Sequence, residues 1–258
     1  MKHICFVYHL KISEKFLKSV KKFLSEKNIR YNFLDRAELA KNCFKTTDLI
    51  ITIGGDGTFL RASHFNKDKL QLGLNQFPKK KEGFFTRTNK NKFKKDIIKI
   101  LKGKFKILKL LRLQTKINEN TVPDLALNEF YIGPRKPYYL FNYELKIRKI
   151  NEYQRSSGIL VGTPSGSYAW LDSAGGKKMP LESDNFQLLV REPYVGKLNK
   201  KPEVINVILS KNQKIKIRIK SFQGILVADS VSNEYEFNEL DTIEVKPSPH
   251  PLRFVEIL

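Results

Sequence analysis

Apolar residues recur along this chain in two alternating rhythms. ICFVYHL (4–10) is a short β-pattern, and SEKFLKSVKKFLSEK (13–27) then sets Phe16, Leu17, Val20, Phe23 and Leu24 on one helical face behind a candidate Ser13 cap. RYNFLD (30–35) predicts a second strand, DLIITI (48–53) a third with both faces apolar, and KLQLGLN (69–75) a fourth, with helical patterns on either side of the third. Strands alternating with helices imply a parallel sheet covered on both faces. A further helix is predicted in NKFKKDIIKILK (91–102), after which FKILKLLRLQTKI (105–117), DLALNEFYI (124–132) and YYLFNYELKIR (138–148) are strand-like. The pattern therefore predicts an α/β chain: an N-terminal parallel-sheet α/β domain over residues 1–86, then a β-rich, sandwich-like domain over 87–246.

Composition narrows the classes of function. The 258 residues are 41% hydrophobic, enough to bury a proper core. No window approaches the roughly 18 consecutive apolar residues of a membrane span, and MKHICFVYHL lacks the features of a signal peptide, so a cytoplasmic protein without membrane contact is expected. Cys5, Cys43 and four histidines leave no metal-ligand spacing. The net charge of +22 would suit a nucleic-acid binder, but the lysines are scattered through every segment. In KIKIRIK (214–220) they alternate with Ile215, Ile217 and Ile219 as a solvated strand face would, and no nucleic-acid partner is expected.

Chemistry concentrates in two glycine-rich turns. In DLIITIGGDGTFLRASHF (48–65), Gly54, Gly55 and Gly57 fall between a buried strand and a helix starting near Thr58, where backbone amides can approach a phosphate. Asp56 would repel that phosphate unless it binds Mg²⁺ or takes a proton from an attacking hydroxyl; the other reading is an aspartate capping the helix. No Walker A sequence occurs, and Leu60 occupies the last glycine position of a dinucleotide fingerprint. SSGILVGTPSGSYAWLDSAGG (156–176) repeats the strand, small-residue turn and helix. It offers the hydroxyls of Thr163, Ser165 and Ser167, with Tyr168 and Trp170 available to stack on a base, or to fill a core ahead of a helix stop at Gly175 and Gly176.

GGDGTFL, ALNE (126–129), GTPSGSYAW and SAGG stand in the order and spacing of the NAD kinases, which the chain resembles from about residue 48 to its C-terminus. Ser157-Gly158 where most of the family has Asp-Gly, Tyr168-Ala169-Trp170 in place of Thr-Ala-Tyr, the long GLNQFPKKKEGFFT (73–86) and VREPY (190–194) are similar to the mitochondrial-type branch. The resemblance implies transfer of the terminal phosphoryl of ATP, with Mg²⁺ or another divalent cation, to the 2′-hydroxyl of the adenosine ribose of NAD. It implies Asp56 as the catalytic aspartate and a phosphate loop of Gly54, Gly55, Gly57 and Thr58. NAD contacts are implied from Gly57, Arg61, Phe84, Asn128, Glu129, Arg155, Thr163, Tyr168, Ala169, Trp170 and Ser173, and Asp229 in ILVADS falls near a C-terminal Asp-Gly block. A β-rich second domain, a C-terminal segment of about 247–258 returning to the first domain, and a homodimer or homotetramer are implied as well. Asn128 and Glu129 raise a geometric question, because adjacent residues on a strand face opposite ways and only a bulge or strand end would bring both to one ligand. The rival readings are a lipid or sugar kinase of the wider GGDGT group and a basic nucleic-acid-binding protein.

Overall fold

The computed structural model describes residues 1–9, 12–78, 83–196, 201–221, 223–231 and 233–258, which form two compact units: Met1–Lys109 with Leu252–Leu258, and Leu110–Pro251. The lysines and glutamate at 79–82 of the GLNQFPKKKEGFFT stretch lie outside the described residues.

In the first unit the expected parallel sheet is present. Its strands run in the order Arg30–Asp35, His3–Tyr8, Leu49–Ile53, Leu70–Asn75, Leu252–Ile257, Phe105–Leu110, and Thr86–Asn89 also pairs with Leu70–Asn75. Every residue of Leu49–Ile53 is buried, as expected of a central strand covered on both faces. The helix Glu14–Glu26 buries Val20, Phe23 and Leu24 against this sheet, each buried apolar side chain contributing about 1.5–3 kcal/mol. Ser13 occupies the position before that helix, yet its side chain makes no cap hydrogen bond; its carbonyl accepts from Leu17 N at 2.9 Å. From His3–Tyr8 the chain steps to one neighbour, Arg30–Asp35, and then to the other, Leu49–Ile53, so the strand order reverses between His3–Tyr8 and Leu49–Ile53. In open parallel sheets the crevice beyond the carboxyl ends of such a strand pair is the usual ligand site.

The two units divide at Lys109, not near residue 87. The helix Phe93–Leu101 buries Phe93, Ile97 and Ile100 in the same cluster as Ile4, Phe6 and Leu72, and the Phe93 ring meets Phe16 and Phe23 edge-on at 5.8 and 6.2 Å. FKILKLLRLQTKI is split accordingly: Phe105–Leu110 is the strand beside Leu252–Ile257 in the first unit's sheet, whereas Leu113–Ile117 belongs to a sheet of the second unit. Alternation alone does not tell one sheet from another.

The second unit is two six-stranded antiparallel sheets. Phe130, Ile132, Ile159, Val161 and Leu188 from one share a core with Tyr143, Leu145, Ile215, Ile217 and Val245 from the other. Ile215, Ile217 and Ile219 are buried while Lys216 and Arg218 are exposed, as the KIKIRIK alternation requires. On the outer face of the first of these sheets, Leu160 and Leu189 hold Leu171, with Tyr131 and Trp170 packed beside them.

Candidate functional site

In the first unit, the glycine turn emerges at the carboxyl end of Leu49–Ile53. Gly54 N donates to Leu74 O at 3.0 Å, and Gly55 takes the position before the helix Asp56–Phe65, its carbonyl accepting from Thr58 N at 3.1 Å. The first-turn amides of such a helix have no acceptor within it and, with the helix dipole, favour a bound anion. Asp56 does not cap this helix. Its Oδ2 accepts from Phe84 N and its Oδ1 from Phe85 N, both at 2.9 Å, while the carboxylate stays half-buried. Each oxygen retains lone-pair capacity for a further partner.

Gly57 and Thr58 follow on the first turn of the helix. Arg61 lies one turn on, its guanidinium 5.1 Å from the Phe65 ring centroid. Phe85 is the core residue, stacked on Phe59 at 4.6 Å, and Phe84 stands half-buried and edge-on to it.

The second unit gathers Asn128, Glu129, Thr163 and Asp229. Asp229 Oδ2 accepts from Leu127 N at 2.9 Å, and its Oδ1 from Asn128 N at 2.6 Å and Glu129 N at 3.1 Å. Successive amides of an extended strand point in opposite directions, so three in a row on one carboxylate mean that the backbone curls before the strand Glu129–Gly133 begins. That curl answers the geometric question raised by the Asn-Glu pair. Thr163 closes the other side: its N donates to Asn128 O at 2.8 Å and its Oγ1 to Leu127 O at 2.5 Å. Gly166 is required here, because a Cβ would stand 2.2 Å from Asn128 O.

Both side chains of the pair keep unmet polar capacity in the interior. Asn128 Oδ1 and Glu129 Oε2 are buried without a hydrogen-bond partner, an arrangement native proteins rarely leave uncompensated and one that a ligand's hydroxyls would satisfy. Burial, reinforced by the charge of Asp229, pushes the Glu129 carboxyl up to about 8. Asp229 is itself 3% exposed, and the cation beside it is Arg112, 1% exposed, whose guanidinium burial pushes down to about 10 while Asp229 pulls it the other way. Sequence reasoning missed Arg112. The available signal was an arginine inside the apolar run LKLLRLQT, obscured by the many lysines around it.

The turn after Thr163 carries the remaining candidates. Tyr168 ends a short 3-10 turn and is exposed, with Lys178 Nζ 5.7 Å from its ring centroid. Ala169 joins that turn to the helix Trp170–Ser173. The helix ends as a glycine stop: Gly175 has φ +85°, Gly175 N donates to Asp172 O and Gly176 N to Leu171 O. Trp170 is half-buried, stacked on Tyr131 at 5.5 Å and covered by the Arg191 guanidinium at 5.1 Å; Ser173 is exposed. Arg155 belongs to the other sheet, where its Nε donates to Asn142 Oδ1 at 3.0 Å and its guanidinium lies 4.9 Å from the Tyr194 ring. At Ser157, the position of the usual family aspartate, the hydroxyl donates to the Glu192 carboxylate.

Residues 5–105 match the ATP-NAD kinase N-terminal domain, and residues 127–257 the ATP-NAD kinase C-terminal domain. A probable NADH kinase of Oryza sativa subsp. japonica is 27% identical over 91% of this chain and 78% of its own length. The NAD kinase of Methanopyrus kandleri is 30% identical over 83% of this chain and 75% of its own. Among solved structures, an NAD kinase from Archaeoglobus fulgidus in complex with ATP superposes with a TM-score of 0.78 at 22% identity, covering 98% of this chain and 92% of that one.

Proposed function

Since the chain belongs to the ATP-NAD kinase family, we propose that it is an NAD kinase, an enzyme that moves the terminal phosphoryl group of ATP onto the 2′-hydroxyl of the adenosine ribose of NAD. The observation that carries this reading is the match of both parts of the chain to the two domains of one family. The lipid-kinase, sugar-kinase and nucleic-acid readings account for neither the second match nor the Asn128–Glu129 pair.

In this reading Asp56 is the general base. The 2′-oxygen forms its bond to the γ-phosphorus as the bond to the β,γ-bridging oxygen breaks; the hydroxyl proton passes to the Asp56 carboxylate and ADP leaves. The amides of Phe84 and Phe85 fix that carboxylate without occupying all of its lone pairs. Gly54, Gly55, Gly57 and Thr58 bring backbone amides and the helix N-terminus to phosphate oxygens, and Arg61 adds a cation one turn further on. Asn128 and Glu129 grip ribose hydroxyls with the polar atoms that are otherwise unmet, and Trp170 and Tyr168 present aromatic surface to the dinucleotide.

Among the described residues no cluster of three His, Cys, Asp or Glu is placed to hold a metal. A divalent cation would arrive on the nucleotide phosphates and neutralise charge on the transferring group. No helix among the described residues is long and apolar enough to cross a membrane. The expected homodimer or homotetramer is read by light scattering.

One assay tests the reading. Purified protein with ATP, Mg²⁺ and NAD should generate NADP, detected by an NADP-specific dehydrogenase. No NADP from a folded protein, alongside phosphorylation of a lipid or sugar, would overturn it. The rice relative named as a probable NADH kinase makes NADH the second acceptor to run in the same assay.

A further inference from the structure

We propose that Asp229, with Arg112 as its buried counter-ion, is the positioning residue that shapes the Asn128–Glu129 pair for the dinucleotide; this rests on the NAD kinase reading above. Asp229 touches the backbone of the pair and acts through it. Its carboxylate gathers the amides of Leu127, Asn128 and Glu129, and its own N donates to Glu129 O at 2.9 Å, so the two segments are locked in both directions. Asp229 and Ser230 both adopt φ of 54°, a left-handed conformation that non-glycine residues enter only when their surroundings over-determine it.

A carboxylate 3% exposed and spent on backbone amides is costly unless a cation accompanies it. Arg112 is that cation. Its Nε donates to His250 O at 2.7 Å and its own carbonyl accepts from Ser248 N at 2.8 Å, which ties it to the 248–250 segment. A plain buried ion pair would leave Glu129 indifferent. Here the same negative charge that curls the backbone also faces Glu129, where it adds to burial in resisting ionisation. Asp229 thus sets both the direction of the Glu129 side chain and its readiness to accept a ribose hydroxyl's proton in a hydrogen bond.

The test uses the whole chain as Asp229→Asn and as the double variant Arg112→Met/Asp229→Asn. The single variant strands a buried guanidinium and is the one at risk of not folding; the double variant removes both charges together. Each is read by steady-state kinetics against NAD and ATP, and by ¹³C-carboxyl NMR titration of the free protein, with Glu129→Gln assigning the resonance. In the folded variant the KM for NAD should rise about tenfold or more, the cost of misplacing buried hydrogen bonds, with the KM for ATP within about twofold. The Glu129 titration should move to lower pH, because Asp229 no longer opposes its ionisation, while residual burial keeps it above the ordinary carboxylate range. A KM for NAD within about twofold of the parent, equal rises for NAD and ATP, or an unmoved Glu129 titration would each overturn the assignment. If the parent chain makes no NADP, the NAD kinase reading fails by itself, and the titration alone decides whether Asp229 governs Glu129.

Discussion

Asp56 and Asp229 are held by the same device at very different depths. Each carboxylate accepts successive backbone amides, two for Asp56 and three for Asp229. Asp56 sits half-buried at a helix N-terminus. Asp229 lies in the interior and is accompanied by Arg112. Glu129 shows the third case, a buried carboxyl whose Oε2 has no hydrogen-bond partner among the described residues, and burial pushes it up to about 8. A carboxylate's use therefore follows from what accompanies it. In the proposed reading, amides at a half-buried helix end leave Asp56 free to react, amides plus a buried cation make Asp229 a brace, and burial beside Asp229 leaves Glu129 for a ligand.

The largest effect should come from removing the charge of the solvent-side carboxylate. Asp56→Asn should lower kcat by roughly 10²- to 10⁴-fold, the range for a positioned acid-base group. The structure adds a cost: one Asn oxygen can still accept an amide, but the NH₂ group faces the other N–H, so one of Phe84 N and Phe85 N loses its acceptor. A stability loss of about 1–3 kcal/mol should accompany the kinetic loss. Turnover above half of the parent in a folded variant would show that Asp56 is a brace like Asp229.

Next in size is the pH dependence of Glu129. Its folded-state value lies above its ordinary 4.5, so the folded protein binds that proton more tightly than the unfolded chain, and the resulting stability is present in acid and lost as pH rises through about 8. Glu129→Gln does not titrate. The variant should therefore match the parent's thermal stability near the unfolded value and exceed it above the folded one, by up to about 5 kcal/mol if burial is undiminished. A difference that stays flat with pH would mean Glu129 has an unseen cation. The same substitution should weaken NAD by about 1.5–3 kcal/mol while sparing ATP.

How much of this was readable in advance follows from what each residue leaves in the sequence. Asp56 announces itself because Gly54, Gly55 and Gly57 surround it, and a half-buried charge among glycines has few structural explanations. The parallel sheet is equally plain, since a strand covered on both faces writes an unbroken apolar run such as LIITI. The division at Lys109 was not, because Phe105–Leu110 and Leu113–Ile117 lie in one strand-like run yet join different sheets. Arg112 and Asp229 are far apart in sequence and meet only through the folded second unit; nothing local marks either as one half of a pair. The curl at Asn128 was legible only as a question, because its cause is a carboxylate about a hundred residues downstream, a separation of 101 for the Asn128 contact.

Trp170 offers the smallest effect and tests whether the outer face of the sandwich behaves like the Asp56 or the Asp229 region. Packed on Tyr131 and covered by Arg191, it is neither a core tryptophan nor a free platform. If the dinucleotide lies against it, NAD should change its emission and ATP alone should do so weakly. Trp170→Ala should then cost about 1 to 2 kcal/mol of NAD affinity, the lower part of the range for base-aromatic stacking, because part of the ring is already engaged. The stability loss should stay below the roughly 3–5 kcal/mol of deleting a fully buried aromatic, since the side chain is half-buried. Emission indifferent to NAD, together with a loss of the full buried size, would place Trp170 with Arg112 and Asp229, among the residues that hold the second unit together rather than those that meet the ligand.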